Sequence, residues 1–206
     1  MDRKIKICFL GLELAPVFFN KNHKSHRLAG SQIQLINIGN ILKNDFKIHY
    51  IVENIYNNHK PQKVDDFIIH PSYNPNIGKK KIRFIYRIRK IWHTLKKVDA
   101  DIYYQRVPSL WTGILAFFCK MNKKKFIYAV ANDNEFTKKW KLFNYKIEEL
   151  LFKYGLKKTN IIIAQNRFQY EQLKTKGYNT VIIKNVYCDL FQDKSSDSIE
   201  DILSVG

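Results

Sequence analysis

Cysteine is scarce in this sequence: Cys8, Cys119 and Cys188 stand far apart and form no CxxC pair. Such an odd, scattered set argues against a disulfide framework or a thiolate zinc site, and a reducing cytoplasm is the expected compartment. Glycine and proline are also few, at 8 and 5, so the chain is neither collagen-like nor low-complexity. Long apolar runs are missing. The longest, Leu110–Cys119 (LWTGILAFFC), falls short of the roughly 18 residues that a membrane-spanning helix needs. The N-terminus pairs a basic start with an apolar run, but Glu13 interrupts the run and no small-residue cleavage site follows, so a buried strand is expected rather than a signal peptide. The six histidines make no HExxH motif, and His23 and His26 lack neighbouring ligands, so no metal site is expected.

Acidic residues are outnumbered: 36 Lys and Arg against 18 Asp and Glu give a formal charge of +18. That balance favours anionic partners: nucleic acid, an acidic membrane surface or a phosphorylated substrate. A bias toward Lys, Ile and Asn along the whole chain is an equally good source of it. No pattern of a known nucleic-acid module is present, and no nucleic-acid partner is expected. Hydrophobic residues make up 45% of the 206 and aromatics 14%, enough to build a real core.

Short β-branched or aromatic runs recur at Ile5–Leu10, Ile48–Val52, Phe67–His70, Ile102–Tyr104, Phe126–Val130, Ile161–Ala164 and Val181–Ile183. Several are apolar on both faces, as covered strands must be. Helical spacing lies between most of them, at Ser31–Leu42, Leu110–Met121, Phe143–Tyr154 and Phe168–Lys176. The alternation predicts an α/β fold: a Rossmann-like parallel sheet with helices on both faces. Asn54–Lys63 and Ser72–Lys81 read as loops. Residues 192–201 (QDKSSDSIED) read as a linker, and 202–206 (ILSVG) as the opening of a further strand.

Gly11 follows the first strand and opens a long loop, Leu12–Leu28, which closes on Ala29-Gly30-Ser31-Gln32 at the start of a helix. Glycine permits close approach of a ligand, and a helix N-terminus offers N–H groups to a phosphate. A plain helix cap is the competing explanation. The loop is neither GxGxxG nor a Walker loop.

The order of these features resembles that of family 4 glycosyltransferases. The stretch Arg27–Glu53 is similar to their first phosphate loop, helix and second strand, with Ala29 in place of a glycine and Gln32 where a Glu often stands. Ala100–Arg106 (ADIYYQR), Phe126–Asp133 (FIYAVAND), Ile161–Asn166 (IIIAQN), Ile182–Val186 (IIKNV) and 202–206 resemble later segments in sequence order. Family members often carry a His after the fifth strand; here the region reads Asn132-Asp133-Asn134-Glu135.

The resemblance implies the N-terminal half of a GT-B fold: residues 1–191 as the acceptor-side domain, 192–201 as linker, and 202–206 as the first residues of a donor-binding domain. It implies transfer of a sugar from a nucleotide-diphospho sugar to a glycan or lipid-linked acceptor, with no other cofactor and no metal, and no activity of this half alone. Gly11, Gly30, Ser31 and Gln32 are then expected at the donor diphosphate. Asp133 and Glu135 would orient the acceptor hydroxyl, and Arg106, Asn132, Gln165 and Asn166 would line the acceptor site.

The segment Lys79–Lys97 (KKKIRFIYRIRKIWHTLKK) contains no acidic residue and spaces Ile82, Ile85, Ile88, Trp92 and Leu95 helically. A surface helix with its apolar stripe on the sheet fits. So does a helix at an anionic membrane, which would make the protein peripheral. A non-catalytic basic module that binds a membrane or a partner protein is the alternative function.

Overall fold

Strands that are apolar on both faces must be covered on both faces, and that requirement organises the molecule. The computed structural model describes residues 3–19, 29–58, 60–78, 83–135, 143 and 145–185. The strands are β1 (Lys6–Leu10), β2 (Lys47–Val52), β3 (Gln62–Val64), β4 (Phe67–Pro71), β5 (Ile102–Arg106), β6 (Lys125–Ala129), β7 (Ile161–Ala164) and β8 (Thr180–Ile182). The helices are α1 (Ala15–Phe19), α2 (Gly30–Leu42), α3 (Arg83–Val98), α4 (Leu110–Met121), α5 (Lys146–Lys158) and α6 (Arg167–Lys174). One sheet runs β3-β4-β2-β1-β5-β6-β7-β8. Every pairing is parallel except β3 with β4. The chain winds outward from β1 to one edge, then crosses back to β5 and winds to the other. The winding therefore reverses between β1 and β5.

Alternation along each strand splits the core in two. Cys8 and Leu10 share one face with Tyr103 and Tyr128, under Ile91 and Leu95 of α3, Phe118 of α4 and Phe152 of α5. Ile7 and Phe9 share the other with Ile48 and Tyr50, under Ala15 of α1 and Leu35 and Ile36 of α2. In the centre Phe9 lies opposite both Tyr50 and Tyr104, with ring centroids 5.1 Å away in each case. The Tyr50 hydroxyl donates to the Leu35 carbonyl at 2.9 Å and so ties α2 to the sheet.

The predicted strands and helices are present with boundaries shifted by a few residues. Two loop assignments need correction. Gln62 and Lys63, read as loop, belong to β3, whose polar residues are strand only by pairing with Ile69 and Ile68. The start of the Leu12–Leu28 loop is helical: a 3-10 turn at Leu12–Leu14 runs into α1. The linker 192–201, the strand start 202–206 and Cys188 lie outside the described residues. Among the described residues no helix is long and apolar enough to cross a membrane.

Helices α4 and α5 meet backbone to backbone. A Cβ on Gly155 would stand 2.6 Å from the Thr112 carbonyl carbon, and one on Gly113 would strike the Leu151 carbonyl. Gly155→Val should therefore destabilise the protein by about 1–3 kcal/mol, seen as a lower midpoint in urea.

His49 and His70 lie on neighbouring strands with Nδ1 of one 2.9 Å from Nε2 of the other. Their rings stack at 5.1 Å. Burial, with help from Lys6 and Lys47 around His49, and from His49 and Lys6 around His70, lowers each to about 4. The unfolded chain takes up protons from about pH 6.5 downward, while the folded pair resists until about 4, so stability contributed by the neutral pair falls across that window. Relative to His70→Phe, the wild type should lose unfolding midpoint steadily between pH 7 and 5.

Candidate functional site

Open parallel sheets place ligands outside the carboxyl ends of their strands, where the winding reverses. A cleft of about 270 Å³ lies at that point, between the ends of β1 and β5. Gly11 ends β1 there, its N–H bonded to the Ile51 carbonyl at 3.1 Å. Ser31 and Gln32 bring the N-terminus of α2, the positive end of its dipole, to the same cleft. Gln32 accepts from the Ala29 N–H at 3.0 Å and donates to Glu13 Oε2 at 3.1 Å. Gly30 opens α2 and is exposed, and among the described residues outside its own helix backbone and chain neighbours no heavy atom lies within 4 Å of an added Cβ. The fold itself therefore does not require glycine there.

The cleft lining also includes residues absent from the sequence-based site, among them Glu13, Glu53, Tyr73 and Trp111. Glu53 follows β2 directly and accepts from the Tyr73 hydroxyl at 2.8 Å. Burial raises its carboxyl above the ordinary range, with Glu13 adding to the rise; the Tyr73 bond and Arg87 oppose it. Tyr73 stacks on Trp111 with centroids 5.6 Å apart, and Arg87 sits 5.2 Å from the Tyr73 ring centre. The lining is thus both aromatic and acidic. Position immediately after a strand was the only sequence signal for Glu53; Trp111 read as ordinary helix core.

Arg106 ends β5 at the floor of the cleft and is 7% exposed. Its Nη2 donates to Asn185 Oδ1 at 3.2 Å, and its positive charge opposes the rise that burial gives the Tyr104 phenol. Arg106 Nε and the neighbouring Gln105 Oε1 are buried without a partner among the described residues. Buried unpaired polar atoms are rare enough in native proteins to call for an explanation. The next residue, Val107, has φ of 80°, a conformation that β-branched side chains rarely adopt and that tends to mark functional sites.

A second polar cluster follows β6 and β7, joined to the first through Asn185. Asn185 Nδ2 donates to Gln165 Oε1 at 2.8 Å, and Gln165 Nε2 donates to the Val130 carbonyl. Asn166 caps α6 by accepting from the Gln169 N–H at 2.8 Å. Asp133 stays exposed, yet its Oδ1 accepts from Asn166 Nδ2 at 3.1 Å and Gln169 Nε2 at 2.8 Å. Asn132 Oδ1 accepts from the Asn134 N–H at 2.9 Å. Asp133 and Asn166 are therefore brought together.

Glu135 turns inward. Its Oε1 accepts from the N–H groups of Ala131 (2.6 Å) and Asn132 (3.1 Å), and its Oε2 from the Tyr128 hydroxyl (2.7 Å). This geometry braces the turn after β6 and suits a positioning residue. Burial raises its carboxyl to about 7 against the effect of those three bonds and of Arg106. An unfolded Glu releases its proton near about pH 4.3, so the folded wild type is penalised as pH rises from there to 7. Glu135→Gln should gain stability relative to wild type at pH 8 and lose that gain by pH 5, measured by urea midpoints.

A doubly wound sheet with its polar cleft at the winding reversal defines a Rossmann-like α/β domain. No known family's profile and no curated protein matches the sequence. Solved structures do. Sucrose-phosphate synthase from Thermosynechococcus elongatus aligns with 88% of this chain and 48% of its own, at 8% identity and a TM-score of 0.61. UDP-GlcNAc 2-epimerase from Methanocaldococcus jannaschii aligns with 89% and 46%, at 12% identity and 0.53. A protein from Glycyrrhiza uralensis solved with glycyrrhetinic acid 3-O-monoglucuronide aligns with 88% and 49%, at 6% identity and 0.53. The chain thus spans about half the length of each. It has the fold that GT-B proteins build in their N-terminal half.

Proposed function

We propose that this chain is the acceptor-side half of an enzyme that moves a sugar from a nucleotide-diphospho sugar to a glycan or lipid-linked acceptor. The observation that carries the reading is the cleft at the β1–β5 reversal, with the stacked Tyr73–Trp111 wall, the Glu13 and Glu53 carboxylates, and the unpaired Arg106 Nε on its floor. Aromatic faces pack against the C–H faces of a sugar ring, and carboxylates accept from its hydroxyls. In this reading the N-terminus of α2, with Gly11, Gly30, Ser31 and Gln32, faces the donor diphosphate, where fixed N–H groups stabilise the leaving charge. Arg106 adds a buried cation beside it.

Asp133 orients the acceptor hydroxyl from the rim, with Asn132, Gln165 and Asn166 holding the surface around it. Glu135 acts through that turn and not on the substrate. Residues 1–191 form the acceptor domain, and the donor site is completed by a second domain beyond the linker at 192–201. The fold is shared by a synthase and an epimerase, so the chemistry of the cleft has to separate the two reactions.

The test uses the polypeptide that carries this chain together with its donor half, assayed against a panel of nucleotide sugars for release of nucleoside diphosphate. Release that depends on an added acceptor supports transfer. Trp111→Ala should then raise the acceptor KM roughly tenfold with little change in kcat, and Arg106→Ala should lower kcat on the order of a hundredfold. Conversion of the nucleotide sugar to an epimer without acceptor would overturn the reading.

A further inference from the structure

Of the single stripe expected to face the sheet, α3 buries only Leu95 fully; the face turned inward is a different one, and Ile82 lies outside the described residues. Ile91, Leu95 and Val98 lie in the core. Ile85 remains 57% exposed, and Ile88 and Trp92 are half-buried. Trp92 carries this outer stripe onto the next helix: its ring lies 5.9 Å from that of Phe117, which is 47% exposed. One turn beyond Phe117, Met121 is 60% exposed. The stripe therefore crosses two helices, from Ile85 on α3 to Met121 on α4.

Cations flank it throughout. Arg89, Lys90, Lys96 and Lys97 on α3 and Lys120 on α4 are exposed, and α3 has no acidic residue. Lys79–Ile82, the start of the basic segment, lie outside the described residues.

We propose that the α3–α4 face seats the protein on an anionic lipid bilayer, with Ile85, Ile88, Trp92, Phe117 and Met121 entering the headgroup region and the surrounding lysines and arginines meeting lipid phosphates. Charge complementarity selects an anionic surface, and the exposed apolar side chains select lipid over nucleic acid, whose phosphates would use the cations and leave the stripe in water. The same helix reaches the cleft on another side. Arg87, five residues before Trp92 and so about 140° round the α3 axis from it, donates to the Pro75 carbonyl at 2.8 Å and lies against Tyr73 of the cleft wall. A bilayer on the α3–α4 face would thus be linked to the acceptor pocket through α3. The proposal does not depend on the reaction assigned to that pocket, because lipid binding is measured without turnover.

The experiment is co-sedimentation of the full chain with phosphatidylcholine vesicles, with and without phosphatidylglycerol. Binding should require phosphatidylglycerol and weaken with salt. The double variant Ile85→Ser/Phe117→Ser, both at exposed positions, should lower partitioning on the order of tenfold while keeping the wild-type urea midpoint. Arg89→Glu/Lys96→Glu should abolish it. Failure to bind phosphatidylglycerol vesicles at low salt would overturn the proposal. So would binding that the apolar double variant leaves unchanged, or binding to a mixed-sequence single-stranded oligonucleotide that matches the vesicles in strength and is indifferent to that variant.

Discussion

Three aromatic rings across the middle strands hold this structure together. Phe9 of β1 touches Tyr50 of β2 on one side and Tyr104 of β5 on the other. A buried tyrosine hydroxyl usually finds a polar partner. Tyr50 reaches the backbone of α2, the helix whose N-terminus opens on the cleft. Tyr104 lies within the field of Arg106, the cation on the cleft floor. The same packing that joins the two halves of the winding therefore sets the positions of the helix terminus and the arginine.

Electrostatics gives the molecule a second organisation. The chain carries an excess of 18 positive charges, yet acidic side chains gather where the strands end: Glu13 and Glu53 in the cleft, Asp133 and Glu135 after β6. Burial raises both Glu53 and Glu135, for different ends. Glu53 lines a cavity and has one tyrosine partner, so it is available to a ligand. Glu135 already has three donors and is part of the architecture. A raised carboxyl alone does not distinguish the two; the count of donors does.

Most of the fold was legible in the sequence because runs such as Ile161–Ala164 and Phe126–Val130 are strands by composition alone. β3 was not, because Gln62 and Lys63 have no strand character apart from their partners in β4. The α3 period was legible, but the stripe read from it was not the one that faces inward: Ile85, Ile88 and Trp92 repeat helically with Leu95, yet the core takes Leu95 with Ile91 and Val98. At the site, Ser31, Gln32 and Arg106 stand at ends of elements and could be read from position. Glu53, Tyr73 and Trp111 converge only because β4, β2, β1 and β5 lie side by side in that order, which no local pattern encodes. The His49–His70 contact has the same cause, since 21 residues separate the pair in sequence.

The two borders of the sheet are unlike. At one, β3 turns antiparallel to β4 and presents Lys63, a short charged hem that discourages further pairing. At the other, β8 is three residues long, and Val181 and Ile182 are 39% and 45% exposed. Among the described residues the charge therefore sits on one border and the apolar surface on the other. Each border is only three residues long, and brevity limits what a strand could gain by annealing to either.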